Sequence, residues 1–367
     1  MLLREISLSV SQHDGIKESI FQGQRLLPRR PTIHDVARAA SVSVATVDRV
    51  LNQRQPVREG TATRVVVAAE SLGYHATLLL QKRLQGELPQ RTLGFLLQKR
   101  SDSFYQELAE ALVTATRQAP GIRGRAVVEF MEDLSPPTTV AALTALAQRA
   151  CAVAVVCGDH PNVSEAISRL RARGVPVCTL LSDLTAPSRA GYVGLDGRKA
   201  GRTAAWMIAR IAQPGAVGLV VGSHRYLGHE LCEIGFRAYF REHAAEFQVL
   251  ETQVNLEEPR IAYEATLEML SRHPGLTGLY IAGGGLEGVI QALRDEGAGG
   301  RVTLVCNELA PGTRAALIDG IVAVSIATPL PLVAARAVEM MAQALQEQRP
   351  EPAHVFLPFE MYVSENL

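Results

Sequence analysis

No apolar run in the 367 residues reaches the roughly 20 that a membrane-spanning helix needs. The opening MLLREISLSVSQHDG lacks a basic leader followed by an apolar core, so no export signal, no membrane partner and a cytoplasmic location are expected. Cysteine is scarce: Cys151, Cys157, Cys178, Cys232 and Cys306 show no metal-ligand spacing. Four of them sit in apolar, strand-like runs and read as buried reduced thiols; Cys232 is the least clearly buried and the candidate for redox sensing. Catalytic order is missing as well. Gly283-Gly284-Gly285 has neither the Lys and Ser/Thr of a phosphate loop nor a dinucleotide spacing, and reads as a tight turn. The pairs Cys157/His160 and Ser223/His224 belong to no triad. Neither an enzyme nor a cofactor or metal site is expected. Net charge is also absent, with 37 basic and 37 acidic residues, so any local surplus is informative.

One such surplus exists. Between Arg29 and Gln85 there are nine Lys/Arg against four acids. The same stretch carries three short helical patterns. The first holds Asp35, Val36, Ala37, Ala39 and Ala40, with a turn near Ser41 and Val42. Ser43 then stands at an N-cap position before Val44–Leu51, which puts Val47, Val50 and Leu51 on one side and Ala45, Thr46 and Arg49 on the other. A third pattern, about Glu59 to Leu72, turns Val65, Val66, Ala69 and Leu72 inward and ends at Gly73. Two short helices about a tight turn, closed by a third, make a helix-turn-helix, whose second helix can enter the DNA major groove.

The residues Thr32, Ile33, Asp35, Val36, Ala37, Ala40, Val42, Ser43, Ala45, Thr46, Val47, Arg49, Val50, Leu51 and Asn52, followed by Val57, Thr61, Arg64, Val65 and Leu72-Gly73-Tyr74, resemble the headpiece of the lactose/galactose repressor family. The resemblance implies a sequence-specific repressor, a double-stranded operator and a homodimer. It implies DNA contacts from Thr32, Ser43, Val44, Ala45, Thr46, Arg49, Asn52, Thr61 and Tyr74. A hinge helix is implied next, with a leucine wedge from Leu84 or Leu80, or else minor-groove contact from Lys82 or Arg83; Arg83 stands where the family's wedging Leu is expected. Ser41 replaces the family's usual turn Gly, and Asp48 replaces a usual Ser, where pairing with a neighbouring Arg is expected.

From Arg91 onward, short apolar strands alternate with helical patterns, which predicts parallel sheets covered by helices. The strands are too many for one short sheet, so two lobes are expected. This body resembles the ribose-type periplasmic sugar-binding proteins. The resulting fold class is α/β: a three-helix helix-turn-helix headpiece and hinge helix, then a two-lobed periplasmic-binding-protein-like body with two parallel-sheet α/β subdomains. The expected boundaries are a poorly ordered extension at 1–30, the headpiece at 31–76, and hinge helix and linker at 77–90. The N-terminal lobe takes 91–186 and 328–350, and the C-terminal lobe 187–327 and 351–362.

Ligands of open parallel sheets bind beyond the carboxyl ends of the strands. That rule nominates Gln98 to Tyr105, Gly158 to His160, Ser182 to Leu184, Gly222 to Tyr226, Gly283 to Gly285 and Asn307-Glu308, with Gln98, Asp102, Phe104, Tyr105, Asp159, Asp183, His224, Arg225, Gly283, Asn307 and Glu308 as the expected effector contacts. Carboxylates and amides among them suit the hydroxyls of a sugar or polyol, and Phe104 or Tyr105 its C–H face. Two positions depart from the family's sugar pattern: Ala282-Gly283, where Asn-Asp is usual, and Ala327-Thr328-Pro329, where a polar residue before Pro is usual. The second reading is therefore the same regulator with a phosphorylated or acidic ligand, or a corepressor, met by His224 and Arg225. The third is a cytoplasmic sugar-binding protein with a vestigial headpiece.

Overall fold

A computed structural model describes residues 31–52, 57–74, 88–307, 309–346 and 352–367. The extension at 1–30, residues 75–87 of the hinge region with Leu80, Lys82, Arg83 and Leu84, and Glu308 lie outside the described residues, as does the side chain of Asn52. The chain divides into two units between Gly86 and Glu87, each described by itself. Among the described residues, no helix is long and apolar enough to cross a membrane.

The first unit contains α1 (Ile33–Ala39), α2 (Val44–Asn52) and α3 (Glu59–Ser71). Thr32 starts α1: its backbone N–H and its hydroxyl both donate to Asp35 Oδ2, at 2.9 and 2.7 Å. That places a carboxylate in the first turn, where the helix dipole favours it. Ser41 adopts a left-handed backbone with φ 52°, a conformation that costs a side-chain-bearing residue energy and that glycine enters freely. Ser43 caps α2, its Oγ accepting from Thr46 N–H at 3.1 Å. Gly73, at φ 65°, ends α3 and lets Tyr74 N–H reach Ala69 C=O at 2.9 Å. The core is Val36, Ala37, Ala40, Val47, Val50, Val65, Ala68 and Ala69. Val66 was expected inward, but it stays half-buried outside this cluster. Val65, Ala68 and Ala69 set the inward face of α3, and Val66 falls at its margin.

In the second unit, two sheets carry the site. The first has the order β12-β5-β4-β3-β1-β2 and is wholly parallel; its strands are β1 (Gln90–Gln98), β2 (Arg123–Met131), β3 (Ala152–Val155), β4 (Val177–Leu180), β5 (Gly191–Leu195) and β12 (Ala353–Leu357). The second has the order β13-β11-β10-β9-β6-β7, with β6 (Ala216–Val221), β7 (Gln248–Val249), β9 (Leu276–Ile281), β10 (Thr303–Cys306), β11 (Val322–Ala327) and antiparallel β13 (Glu360–Tyr362); β8 (Gln253–Val254) also pairs β6. Leu93, Phe95, Leu96 and Leu97 of β1 are all buried, as expected for a strand with helices on both faces. In each sheet the chain reverses its direction of winding beside one strand pair, β1/β3 in the first and β6/β9 in the second, and such switch points open crevices at the strand ends.

The lobe boundaries differ from those expected. Gly191–Leu195 and Ala353–Leu357 belong to the first sheet, so the first crossing comes after Leu195 and the last after Leu357. Only the crossing between Ala327 and Leu330 falls where expected. A five-residue apolar strand reads alike in either sheet, and pairing partners far along the chain decide its place. The run 247–253, expected as one strand, is instead the two short strands β7 and β8. The expectation for cysteine is corrected in one detail: Cys232 is buried, and Cys151 is the partly exposed thiol.

Candidate DNA-reading face and effector cleft

On α2, Ala45 and Arg49 lie one turn apart and are both exposed, while Val47 and Val50 are buried behind them. Ser43 is exposed, and its hydroxyl also shares a hydrogen bond with Thr46 Oγ1 at 2.8 Å. Val44 and Thr46 are half-buried, and Val44 packs on the core, as does Tyr74. Thr61 is half-buried in the first turn of α3. The hydroxyl of Thr32 is committed to Asp35. Of the nominated side chains, Ala45 and Arg49 therefore leave the most room for a base edge. A small residue permits close approach, and a guanidinium one turn away can span to guanine or phosphate.

In the body, a cavity of about 130 Å³ lies between the lobes at the two switch points. Six of the expected contacts meet there: Gln98, Asp102, Phe104, Tyr105, Gly283 and Asn307. Asp102 also caps the helix Ser103–Gln118, accepting from Phe104 N–H at 2.9 Å, and burial pushes its carboxyl up. Phe104 and Tyr105 stand edge to face with centroids 5.2 Å apart. Asn307 Oδ1 accepts from Tyr280 Oη at 2.9 Å.

Four expected contacts do not line it. Asp183 is taken by a buried clasp. Its Oδ1 accepts from Arg189 Nε at 2.7 Å, and from Thr179 Oγ1 and Leu184 N–H at 2.8 Å. Its Oδ2 accepts from Arg189 Nη2 at 2.8 Å and lies 3.1 Å from His354 Nε2. Asp159 fastens the lobes by its backbone, donating to Arg225 C=O at 2.6 Å. His224 pairs with Glu233 at 3.1 Å, and the Arg225 side chain is exposed. Among the described residues no Lys or Arg lines the cavity, so the acidic-ligand reading through His224 and Arg225 loses its contacts.

The strand-end rule reached Tyr226, at the end of the run 222–226, but missed His229, Cys232 and Glu257; all four line the cavity. Tyr226 Oη accepts from Gln98 Nε2 at 3.0 Å across the cleft, and burial raises its phenol well above the usual range. Glu257 Oε2 accepts from Gly284 N–H at 2.6 Å, while Oε1 is buried without a partner. Nδ1 of His229, likewise without a partner, lies 3.7 Å from that oxygen. This contact is no ion pair at neutral pH, because burial pushes His229 down to about 4. Burial pushes the Glu257 carboxyl up to about 7. Leu256 and Glu257 both hold left-handed backbones, with φ 54° and 61°, and Leu181 on the cavity wall has φ 62°. Non-glycine residues in this region cost about 1–3 kcal/mol each and persist where their surroundings impose them. The glycines explain how the carboxyl fits: a Cβ at Gly222 would lie 1.5 Å from Glu257 Oε1, one at Gly284 2.2 Å from Oε2, and one at Gly283 2.8 Å from the His229 ring. Glycines after β6 and β9 were the one signal of this seat in the sequence. At the rim, Lys99 Nζ donates to Glu258 Oε1 at 2.5 Å and to Glu257 C=O at 3.1 Å, joining the lobes.

Comparison with known proteins agrees with this division. Residues 32–77 match the model of the bacterial regulatory proteins of the lacI family, and residues 93–349 match the periplasmic binding protein domain. The chain is 27% identical over 340 residues to the transcriptional regulator GalR of Salmonella typhimurium, covering 89% of this chain and 93% of that one. It is 42% identical over 78 residues to the ribose operon repressor of Bacillus subtilis, covering 21% of this chain and 23% of that one. Among solved structures, a solute-binding protein of an ABC transporter from Agrobacterium vitis, bound with α-D-tagatopyranose, superposes with a TM-score of 0.69 at 18% identity, over 75% of this chain and 95% of its own. With both halves matched in this order, the chain belongs to the lacI family of bacterial regulatory proteins and carries a periplasmic-binding-protein domain as its body.

Proposed function

We propose that this regulator is a repressor that reads a palindromic operator as a homodimer, with Arg49 and Ala45 of α2 meeting base edges, and that a small sugar or polyol in the cleft sets its operator affinity. The observation that carries the reading is the pairing of an outward Arg49 on a capped helix with a cavity that is polar, aromatic and shared by two lobes. A ligand gripped by both lobes binds one lobe arrangement better than others and shifts the population toward it, and that differential affinity is the source of control. Gln98 to Tyr226, Asp159 to Arg225 and Lys99 to Glu258 are the contacts such a shift rearranges. Tyr226, Ser182 and Asn307 supply hydroxyl partners, and Phe104 and Tyr105 an apolar face. A neighbour in fold holds a hexose, which accords with a pocket of this lining. The test is selection of an operator from random duplex DNA, followed by titration of wild-type protein and Arg49→Ala with and without a panel of sugars and polyols. Sequence-selective binding that Arg49→Ala loses and a sugar or polyol changes supports the proposal. Selective binding indifferent to every member of the panel removes the sugar and polyol assignment.

A further inference from the structure

We propose that the cleft selects a small polyhydroxylated amine, its protonated nitrogen seated at the Glu257 carboxyl, over the corresponding neutral sugar or polyol. This rests on the reading of the cleft as the effector site and narrows its ligand class. Charge points first. Asp102 and Glu257 both line the cavity, and among the described residues no Lys or Arg does. The nearest ammonium, Lys99, is committed to Glu258 and to a main-chain carbonyl.

Geometry points the same way. Glu257 Oε1 is buried with no partner, and His229 Nδ1, also unpartnered, is 3.7 Å from it. One nitrogen can stand within hydrogen-bond reach of both atoms. An ammonium brings up to three N–H donors and a positive charge, whereas a hydroxyl brings one hydrogen and no charge. A buried carboxylate without a partner is costly, and a cationic partner removes more of that cost than a neutral one. The seat is built at some expense. Two consecutive left-handed residues, Leu256 and Glu257, deliver the carboxyl, and Gly222, Gly283 and Gly284 leave the space it occupies. Burial raises the Glu257 pKa despite the opposing charge of Lys99, and an ammonium at Oε1 would favour the charged carboxylate further. The ring pair of Phe104 and Tyr105 faces the same cavity and favours a cation over an anion.

The experiment is calorimetric titration of the full chain with matched pairs: D-glucosamine against D-glucose, D-galactosamine against D-galactose, and glucamine against sorbitol. Gluconate and glucose 6-phosphate complete the set. At least one amine should bind about tenfold or more tightly than its neutral partner, and Glu257→Gln should bring that pair to within about threefold. If Glu257→Gln does not fold, judged by circular dichroism, Asp102→Asn takes its place and should weaken the amine more than the neutral member. Equal or tighter binding of the neutral members, binding of anions alone, or no binding by any of the amines overturns the proposal. So does discrimination that persists in the variant. The two proposals fail separately: amine-selective binding that leaves operator affinity unchanged removes only the regulatory role, and operator control by neutral sugars alone removes only the amine.

Discussion

The headpiece and the cleft solve opposite problems with polar groups. On α2 the working side chains, Arg49 above all, are exposed on a small core of valines and alanines, and they carry little structural duty. In the cleft, Glu257 and His229 are buried and unpartnered at one atom each, and Glu257 is held by strained backbone. A surface that meets a highly charged polymer gains from long-range attraction and can keep its groups solvated until contact. A pocket that distinguishes small molecules must desolvate its groups in advance, so the fold bears that cost before any ligand arrives. The body therefore stores instability at its functional site, whereas in the headpiece the left-handed Ser41 lies in the turn and not on the reading helix.

Five variants, in four tests, sharpen or break this contrast. The largest effect is expected at Asp183, which belongs with the body's framework. Asp183→Ala leaves Arg189 buried without its bidentate partner and should lower body stability by about 3–5 kcal/mol in urea unfolding. A loss below about 1 kcal/mol would return Asp183 to the list of ligand groups. Next, Arg49→Ala should weaken operator binding by about 1–3 kcal/mol, some ten- to hundredfold, without moving the body's unfolding midpoint. A shifted midpoint in that variant breaks the separation between the two regions.

The third test, a pair of variants, reads the cleft by pH. Glu257, raised from 4.5 to about 7, contributes stability that is complete below about 4.5 and lost as pH rises toward 7. His229, lowered from 6.5 to about 4, contributes stability that is complete above about 6.5 and lost as pH falls toward 4. Between 4.5 and 6.5 the two oppose each other. Relative to wild type, Glu257→Gln should lose stability as pH falls from 7 toward 4.5, and His229→Gln as pH rises from 4 toward 6.5. Parallel curves for all three proteins would deny that the pair titrates as described. The smallest effect is expected for Leu256→Gly, which relieves the left-handed backbone at the expense of chain entropy; the net change should stay within about 1 kcal/mol. Its melting curve is the measure, and a large destabilisation would mean that the exposed Leu256 side chain packs against something.

What the sequence disclosed follows the same divide. The headpiece reads directly because its caps, turn and core residues lie within one contiguous stretch, and local rules suffice: Ser43, Gly73, Val47 and Val65 each stand where their chemistry places them. The alternation of strands and helices likewise disclosed a two-lobed body. The cleft was half legible. The strand-end rule found Gln98, Asp102 and Asn307 because it locates positions along a sheet. It failed for Asp183 and Asp159 because it says nothing about which way a side chain turns or what else competes for it. Glu257 escaped because it follows a two-residue strand and enters the cavity through backbone angles that no residue-type pattern encodes. The lobe assignment of Gly191–Leu195 and Ala353–Leu357 escaped for a related reason, since their pairing is set by partners far away in the chain.

That last pairing bears on how the molecule is made. β5 emerges from the ribosome well before β12, its neighbour on the outer side of the first sheet, and His354 of β12 also reaches Asp183. Until β12 arrives, the nascent first lobe has an unpaired strand edge, a surface open to wrong partners. The three helices that read DNA are complete long before, since their contacts are local and fold fast. Translation thus completes the three helices of the headpiece before either sheet of the body, and a ribosome that stalls in the body leaves that headpiece on a chain whose lobes are unfinished.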